Sequence, residues 1–255
     1  VQNGKFQLHT FVEGSGPPLI YLHGYDGMLE WPAWLDFLTS RYQVFAPQLP
    51  GVGNSTGLEN VDDFHDLAFM GLDFVDTLGL EKPVLMGLDL GGCLAAEMAA
   101  HDSHNLSKLV LVAPTGLWLQ ASPAPDFFAG GAGQIARLTW HDFEAAQAKG
   151  FVPAMPASED EQRRAMLERQ KSLTTAGKFL WPIPDKGLKK RIHRINVPTL
   201  LVWGTSDGLV PLAYAHAFNE MIAGSRLAIL EEAGHLPMLE QPAEFQRSVL
   251  EFLES

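Results

Sequence analysis

Cysteine is nearly absent. Cys93 is the only one in the chain, so no intramolecular disulfide can form. That is compatible with a reducing compartment and sets the expectation of a cytoplasmic protein. No apolar run reaches the roughly 18 residues that span a bilayer, and the first five residues carry no signal-peptide pattern. The chain begins at Val1 with no initiator methionine, so removal of a leader stays open as an expectation. Positive charge is also scarce: 18 Lys and Arg stand against 30 Asp and Glu, a formal net charge of −12. Such a chain repels phosphate backbones and anionic lipid, which argues against nucleic-acid and membrane partners. There is no Gly-x-Gly-x-x-Gly after a strand, no P-loop, and no paired ligand spacing among the nine histidines. No metal and no cofactor are expected. No internal repeat is found, and no oligomeric state is assigned.

What is present is a chain of 255 residues, 46% hydrophobic and 19% charged, enough to bury a sizeable core. Short apolar runs at 19–22, 42–46, 83–87, 109–112, 199–203 and 226–230 read as strands, and an alternating stretch at 6–12 reads as an edge strand. Helical spacing is expected over 34–40, 61–80, 91–100 and 243–253. This alternation implies a largely parallel sheet buried on both faces and flanked by helices. Between about 116 and 196 the alternation is lost among prolines and glycines, with a helical piece at 162–173. The expected architecture is an α/β core of residues 1–116 and 197–255 with a helical cap at 117–196. Open α/β sheets bind their ligands at the carboxyl edge, beneath such a cap.

Three segments at strand ends carry the chemistry. Gly87-Leu88-Asp89-Leu90-Gly91-Gly92 joins a strand to a helix in a tight turn. Small residues two positions either side of Asp89 permit that turn, which lifts the side chain above the sheet beside the positive end of the helix. Asp207 follows the strand ending at Trp203, and His235 lies in a loop after the last strand. The chain order is nucleophile position, acid, base. His23-Gly24-Tyr25 follows the early strand, where the backbone N–H of Tyr25, with that of Leu90, would form an oxyanion hole. His23 itself reads as a brace for this loop.

Together with the Leu49-Pro50-Gly51-Val52-Gly53-Asn54-Ser55 stretch, these segments resemble the α/β-hydrolase superfamily over nearly the whole chain. An aspartate at the elbow is similar to haloalkane dehalogenases and epoxide hydrolases. That resemblance implies attack by Asp89 on an sp3 carbon of an apolar small molecule. It then implies cleavage of the alkyl ester by water that His235 activates with Asp207. The expected function is therefore an alkyl halide or epoxide hydrolase. The departures from those branches are definite. Leu90 stands where dehalogenases place Trp, no Arg lies between Asp89 and Lys108, and no tyrosine lies in the cap, since the four are Tyr21, Tyr25, Tyr42 and Tyr214. Asp26 stands where proline is usual.

The flanks at 90–97 and 111–118 instead resemble serine carboxylesterases. The second reading is an esterase-type hydrolase in which Asp89 replaces Ser, and a third is a ligand-binding protein that keeps the fold. Trp118, Trp140 and Trp181 are pocket candidates whose indole N–H could hold a leaving group. Phe127, Phe128, Phe143, Phe151 and Phe179 crowd the same region and read mainly as cap packing. Cys93, four residues after Asp89, reads as a buried small residue.

Overall fold

In the computed structural model, residues 1–126, 128–152, 156–181 and 186–255 are described. Seven strands build one sheet: β1 (Thr10–Gly14), β2 (Pro18–Leu22), β3 (Gln43–Pro47), β4 (Val84–Leu88), β5 (Lys108–Val112), β6 (Thr199–Gly204) and β7 (Arg226–Leu230). Their order across the sheet is β1-β3-β2-β4-β5-β6-β7. β1 pairs antiparallel with β3, and every other neighbouring pair is parallel. The helices are α1 (Asp36–Thr39), α2 (Phe64–Thr77), α3 (Asp89–His101), α4 (Ala132–Thr139), α5 (Phe143–Ala148), α6 (Glu159–Leu180), α7 (Leu212–Met221), α8 (Pro237–Glu240) and α9 (Pro242–Glu254).

Side-chain alternation divides the core between the two faces of the sheet. Ile20, Leu22, Phe45, Leu85, Leu109, Leu111, Leu201 and Trp203 pack with α2, α3 and α7 on one face. Leu19, Tyr21, Val44, Met86, Val110, Val112, Leu200 and Val202 pack with Leu38 and the α9 residues Phe245, Val249 and Phe252 on the other. Burial on both faces is why the central strands are near-continuous apolar runs. Asp63 caps α2 by accepting from the N–H groups of His65 and Asp66.

The edge strand differs from the expectation at 6–12, since β1 starts at Thr10. Gln7 pairs instead with Thr56 as an isolated antiparallel bridge, and Phe6 is buried. The first residues are thus committed to the 49–58 loop before the chain reaches the sheet. Helix α6 starts at Glu159, capped by Ser158, and runs seven residues past 173. Its C-terminal turns bury Ser172, Thr175, Ala176, Phe179 and Leu180. Lys171 Nζ and Lys178 Nζ donate to the carbonyls of Gly53 and Leu58, both at 2.8 Å. The insertion between β5 and β6 therefore rests on the glycine-rich loop after β3, above the carboxyl edge of the sheet.

Candidate active site

The turn between β4 and α3 puts Asp89 at φ 50°, a left-handed conformation that a non-glycine residue adopts only when its surroundings enforce it. The enforcement is close packing. A Cβ on Gly91 would collide with the backbone carbonyls of Leu22 and His23, so α3 lies directly against the end of β2. After β5, Thr115 braces the turn from the other side, its N–H donating to the Asp89 carbonyl at 3.2 Å. The Asp89 side chain is thus fixed where the loops after β2, β4 and β7 converge.

Asp89 is 2% exposed. Its Oδ2 accepts from the Tyr25 N–H at 3.0 Å, and the Leu90 N–H on the neighbouring residue favours the charged form. These two N–H groups are the donors expected for the oxyanion hole, and in this structure the Asp89 carboxylate itself holds that of Tyr25. Burial pushes its pKa up to about 6, with His235 and the two N–H groups pulling the other way.

His235 is likewise 2% exposed. Its Nδ1–H donates to Asp207 Oδ2 at 2.8 Å. Asp207 Oδ1 accepts from the N–H groups of Leu209 and Val210, each at 2.9 Å, which fixes the carboxylate beyond the end of β6. His235 Nε2 is buried and has no hydrogen-bond partner among the described residues. Burial works against the imidazolium. The charges of Asp207, Asp89 and Asp26 outweigh it, and the pKa rises to about 9. A small cavity of about 20 Å³ is lined by Gly24, Tyr25, Asp26, Leu88, Asp89, Thr139, His235 and Leu236. That is room for one water.

His23 stands behind this site. Its Nδ1–H donates to the Gly24 carbonyl at 2.8 Å and its Nε2 accepts from the Leu49 N–H at 3.0 Å. Both ring nitrogens are engaged in the neutral form, and burial lowers the pKa to about 4. The ring ties the loop after β2 to the loop after β3.

The structure brings Asp89, Asp207, His235, Tyr25 and Leu90 together. It does not bring the three tryptophans to the cavity. The Trp118 indole N–H donates to Gln120 Oε1 at 3.2 Å. Trp140 is buried against Phe151, their rings stacked 6.1 Å apart. Trp181 is 54% exposed and meets Phe128 edge-on. Phe127 lies outside the described residues. Thr139 and Leu236 line the cavity without having been singled out in the sequence. Thr139 is the last residue of an ordinary amphipathic helix, and no local motif marks it. Among the described residues, no group of three or more His, Cys, Asp or Glu could hold a metal ion, and no helix is long and apolar enough to cross a membrane.

Comparison with known proteins places this geometry. The model of the Alpha/beta hydrolase family matches residues 19–247. The pimeloyl-[acyl-carrier protein] methyl ester esterase of Aeromonas hydrophila is 30% identical over 94% of this chain and 96% of its own. The esterase of the same name from Vibrio cholerae is 28% identical over 96% and 97%. Among solved structures, a bacterial membrane phospholipase A superposes with a TM-score of 0.78 at 25% identity, covering 98% of this chain and 83% of that one.

These relatives overturn the dehalogenase and epoxide-hydrolase expectation drawn from Asp89. By name the two esterases act on a methyl ester, and they match the chain along almost its full length. The esterase-like flanks on either side of the elbow agree with these relatives, and the single side chain of Asp89 does not outweigh them. The physical reason agrees: among the described residues no indole N–H lines the cavity to receive a leaving halide, and the sequence of the cap has no phenol to protonate an epoxide oxygen. The chain is an α/β-hydrolase-fold enzyme of the esterase and lipase type, and it belongs to the Alpha/beta hydrolase family.

Proposed function

We propose that this enzyme hydrolyses carboxylic esters of a small, largely apolar organic substrate, with water as co-substrate and residues 117–196 as its cap. The observation that carries this reading is the near full-length match to methyl ester esterases. Asp89 stands where the esterase-like flanks lead one to expect serine.

The reacting groups are Asp89, His235 and Asp207, with Tyr25 and Leu90 as oxyanion donors. Between about pH 6 and pH 9 Asp89 is ionised while His235 is protonated. Two neighbouring groups with pKa values driven apart form a natural base and acid. A water in the cavity attacks the ester carbonyl carbon and gives its proton to the Asp89 carboxylate. The C=O electron pair moves onto oxygen to make the tetrahedral oxyanion. Asp89, now neutral, holds the Tyr25 N–H less strongly, because charge-assisted hydrogen bonds are the stronger kind. That donor, with the Leu90 N–H, turns to the oxyanion. Collapse breaks the bond to the alkoxide, which takes the proton from His235 Nε2. Return of the Asp89 proton to His235 resets the site, and the sum is ester plus water to acid plus alcohol. Asp207 fixes the ring and favours its charged form.

A cavity with room for one water is too small for an ester, so side chains of its lining give way when substrate enters. The test is a panel of short activated esters and methyl esters with the wild type, Asp89→Asn and His235→Ala. Hydrolysis by the wild type, reduced at least a hundredfold in both variants, is expected. A folded wild type that cleaves no ester in the panel, or an Asp89→Asn variant as fast as wild type, overturns the reading.

A further inference from the structure

Beside the cavity, the end of α4 and the segment after it lie across both loops that hold the His235–Asp207 pair. The Leu138 carbonyl accepts from the Gly208 N–H at 2.9 Å, and the Thr139 carbonyl accepts from the His235 N–H at 2.7 Å. His141 Nδ1 meets Ser206 Oγ at 2.7 Å. The packing leaves no room for a side chain: a Cβ on Gly234 would run into the Thr139 carbonyl and the His141 nitrogen. Here the backbone of the insertion and the backbone of the loop carrying the imidazole are in direct apposition.

One carboxylate fastens this crossing. Glu240, at the end of α8, accepts from the Gly234 N–H on Oε2 at 2.7 Å. On Oε1 it accepts from the N–H groups of His141 at 2.9 Å and Asp142 at 3.3 Å. Gly234 precedes His235 directly, and Asp142 is the capping residue of α5, its side chain accepting from the Ala145 N–H. Glu240 touches neither the cavity nor its reacting atoms. It joins the loop of the imidazole to the insertion with one oxygen for each.

We propose that Glu240 is a positioning residue for His235, holding the 233–235 loop against the 138–142 segment so that the ring stays on Asp207 with Nε2 turned into the cavity. An ionised carboxylate suits the task because both of its oxygens are acceptors and every group it meets is a donor. A glutamine keeps the shape but offers one acceptor oxygen for two sides. Its NH2 must then face a backbone N–H on one of them, and one link is lost. A small displacement of a reacting group lowers turnover far more than binding.

The kinetic part of this proposal rests on the ester-hydrolase reading, so the test has an arm that does not. Glu240→Gln and Glu240→Ala are compared with the wild type by NMR of the His235 imidazole, following the Nδ1–H proton and the ring's titration. The expected result is loss or exchange broadening of the Nδ1–H signal and a His235 pKa lower than in the wild type, with Ala beyond Gln. On any ester the wild type cleaves, kcat falls about tenfold for Gln and about a hundredfold for Ala, with KM within threefold. Should the Ala variant fail to fold, Gln decides. A folded Gln variant with an unchanged Nδ1–H signal and titration overturns the proposal, even if its melting temperature is lower. If the wild type cleaves no ester, the proposed function falls while the NMR arm still decides the role of Glu240.

Discussion

The Tyr25 N–H points at Asp89 Oδ2 from 3.0 Å, so the side chain at the elbow occupies a donor that its own chemistry needs. An internal anion competes with the oxyanion for that N–H. A serine at the same position reaches less far and carries no charge, so it leaves the donors to the substrate, and unlike asparagine it replaces the lost base with a hydroxyl that attacks the ester itself while His235 takes its proton. Asp89→Ser is therefore expected to raise kcat/KM on short activated esters by about tenfold or more, since one well-placed oxyanion donor is worth roughly 10²–10³ in rate. Steady-state kinetics on purified variants measure this. A folded Asp89→Ser no faster than the wild type means that the donors were not limiting.

In the proposed reaction water attacks the ester directly, and no covalent bond forms to Asp89. Turnover in water labelled with heavy oxygen should place the label in the released acid. Mass spectrometry of the peptide containing Asp89 should find that side chain unlabelled. Label in Asp89 after a single turnover would show a covalent route.

The acid and base also predict a bell-shaped pH dependence of kcat/KM. The lower limb near pH 6 reports ionisation of Asp89 and the upper limb near pH 9 reports loss of the His235 proton. Because Asp207 holds His235 in its charged form, Asp207→Asn should move the upper limb downward as well as lower the rate. An upper limb that stays in place in that variant would separate Asp207 from the titration of His235.

Burial of Asp89 costs stability, and the sign follows from its raised pKa. In the folded protein the carboxyl titrates near 6, against about 3.8 for an unperturbed aspartate. The folded state therefore binds the proton more tightly, and the penalty is complete above about pH 6 and gone below about pH 4. At about 1.4 kcal/mol per pH unit, Asp89→Asn should stabilise the protein by roughly 3 kcal/mol at neutral pH and by almost nothing at pH 4. Urea denaturation at the two pH values gives the difference directly. A variant no more stable at pH 7 than the wild type would show that folding does not raise the pKa of Asp89.

Much of the fold can be read along the chain because its signals are local. β4, β5 and β6 are apolar runs fully or almost fully buried, and α2 and α9 show their buried faces in the spacing of Leu67, Phe74, Val249 and Phe252. The addresses of Asp89, Asp207 and His235 were legible for the same reason, since each stands just past the end of a strand. The reaction was less legible. Asp89 taken alone favours attack on an sp3 carbon, and nothing local says that its carboxylate turns back onto the Tyr25 N–H. Thr139 and Glu240 were invisible because their importance lies in contacts across long stretches of chain, from 139 to 235 and from 240 to 141. The indole chemistry of the tryptophans carries no direction for each side chain, and packing turns Trp140 toward Phe151 and Trp181 toward solvent.

The insertion that carries α4, α5 and α6 leaves the sheet after Val112 and rejoins it at Thr199, on strands that lie side by side with Val112 opposite Val202. Neighbouring strands are only about 4.8 Å apart. The sheet thus anchors both ends of the excursion and demands nothing of its length, and lengthening such a loop adds little entropic cost. A different roof could be grafted across that gap without shifting a strand by one residue. The short stretch at 138–142 would have to be preserved, because there the roof shares hydrogen bonds with the loops that carry His235 and Asp207.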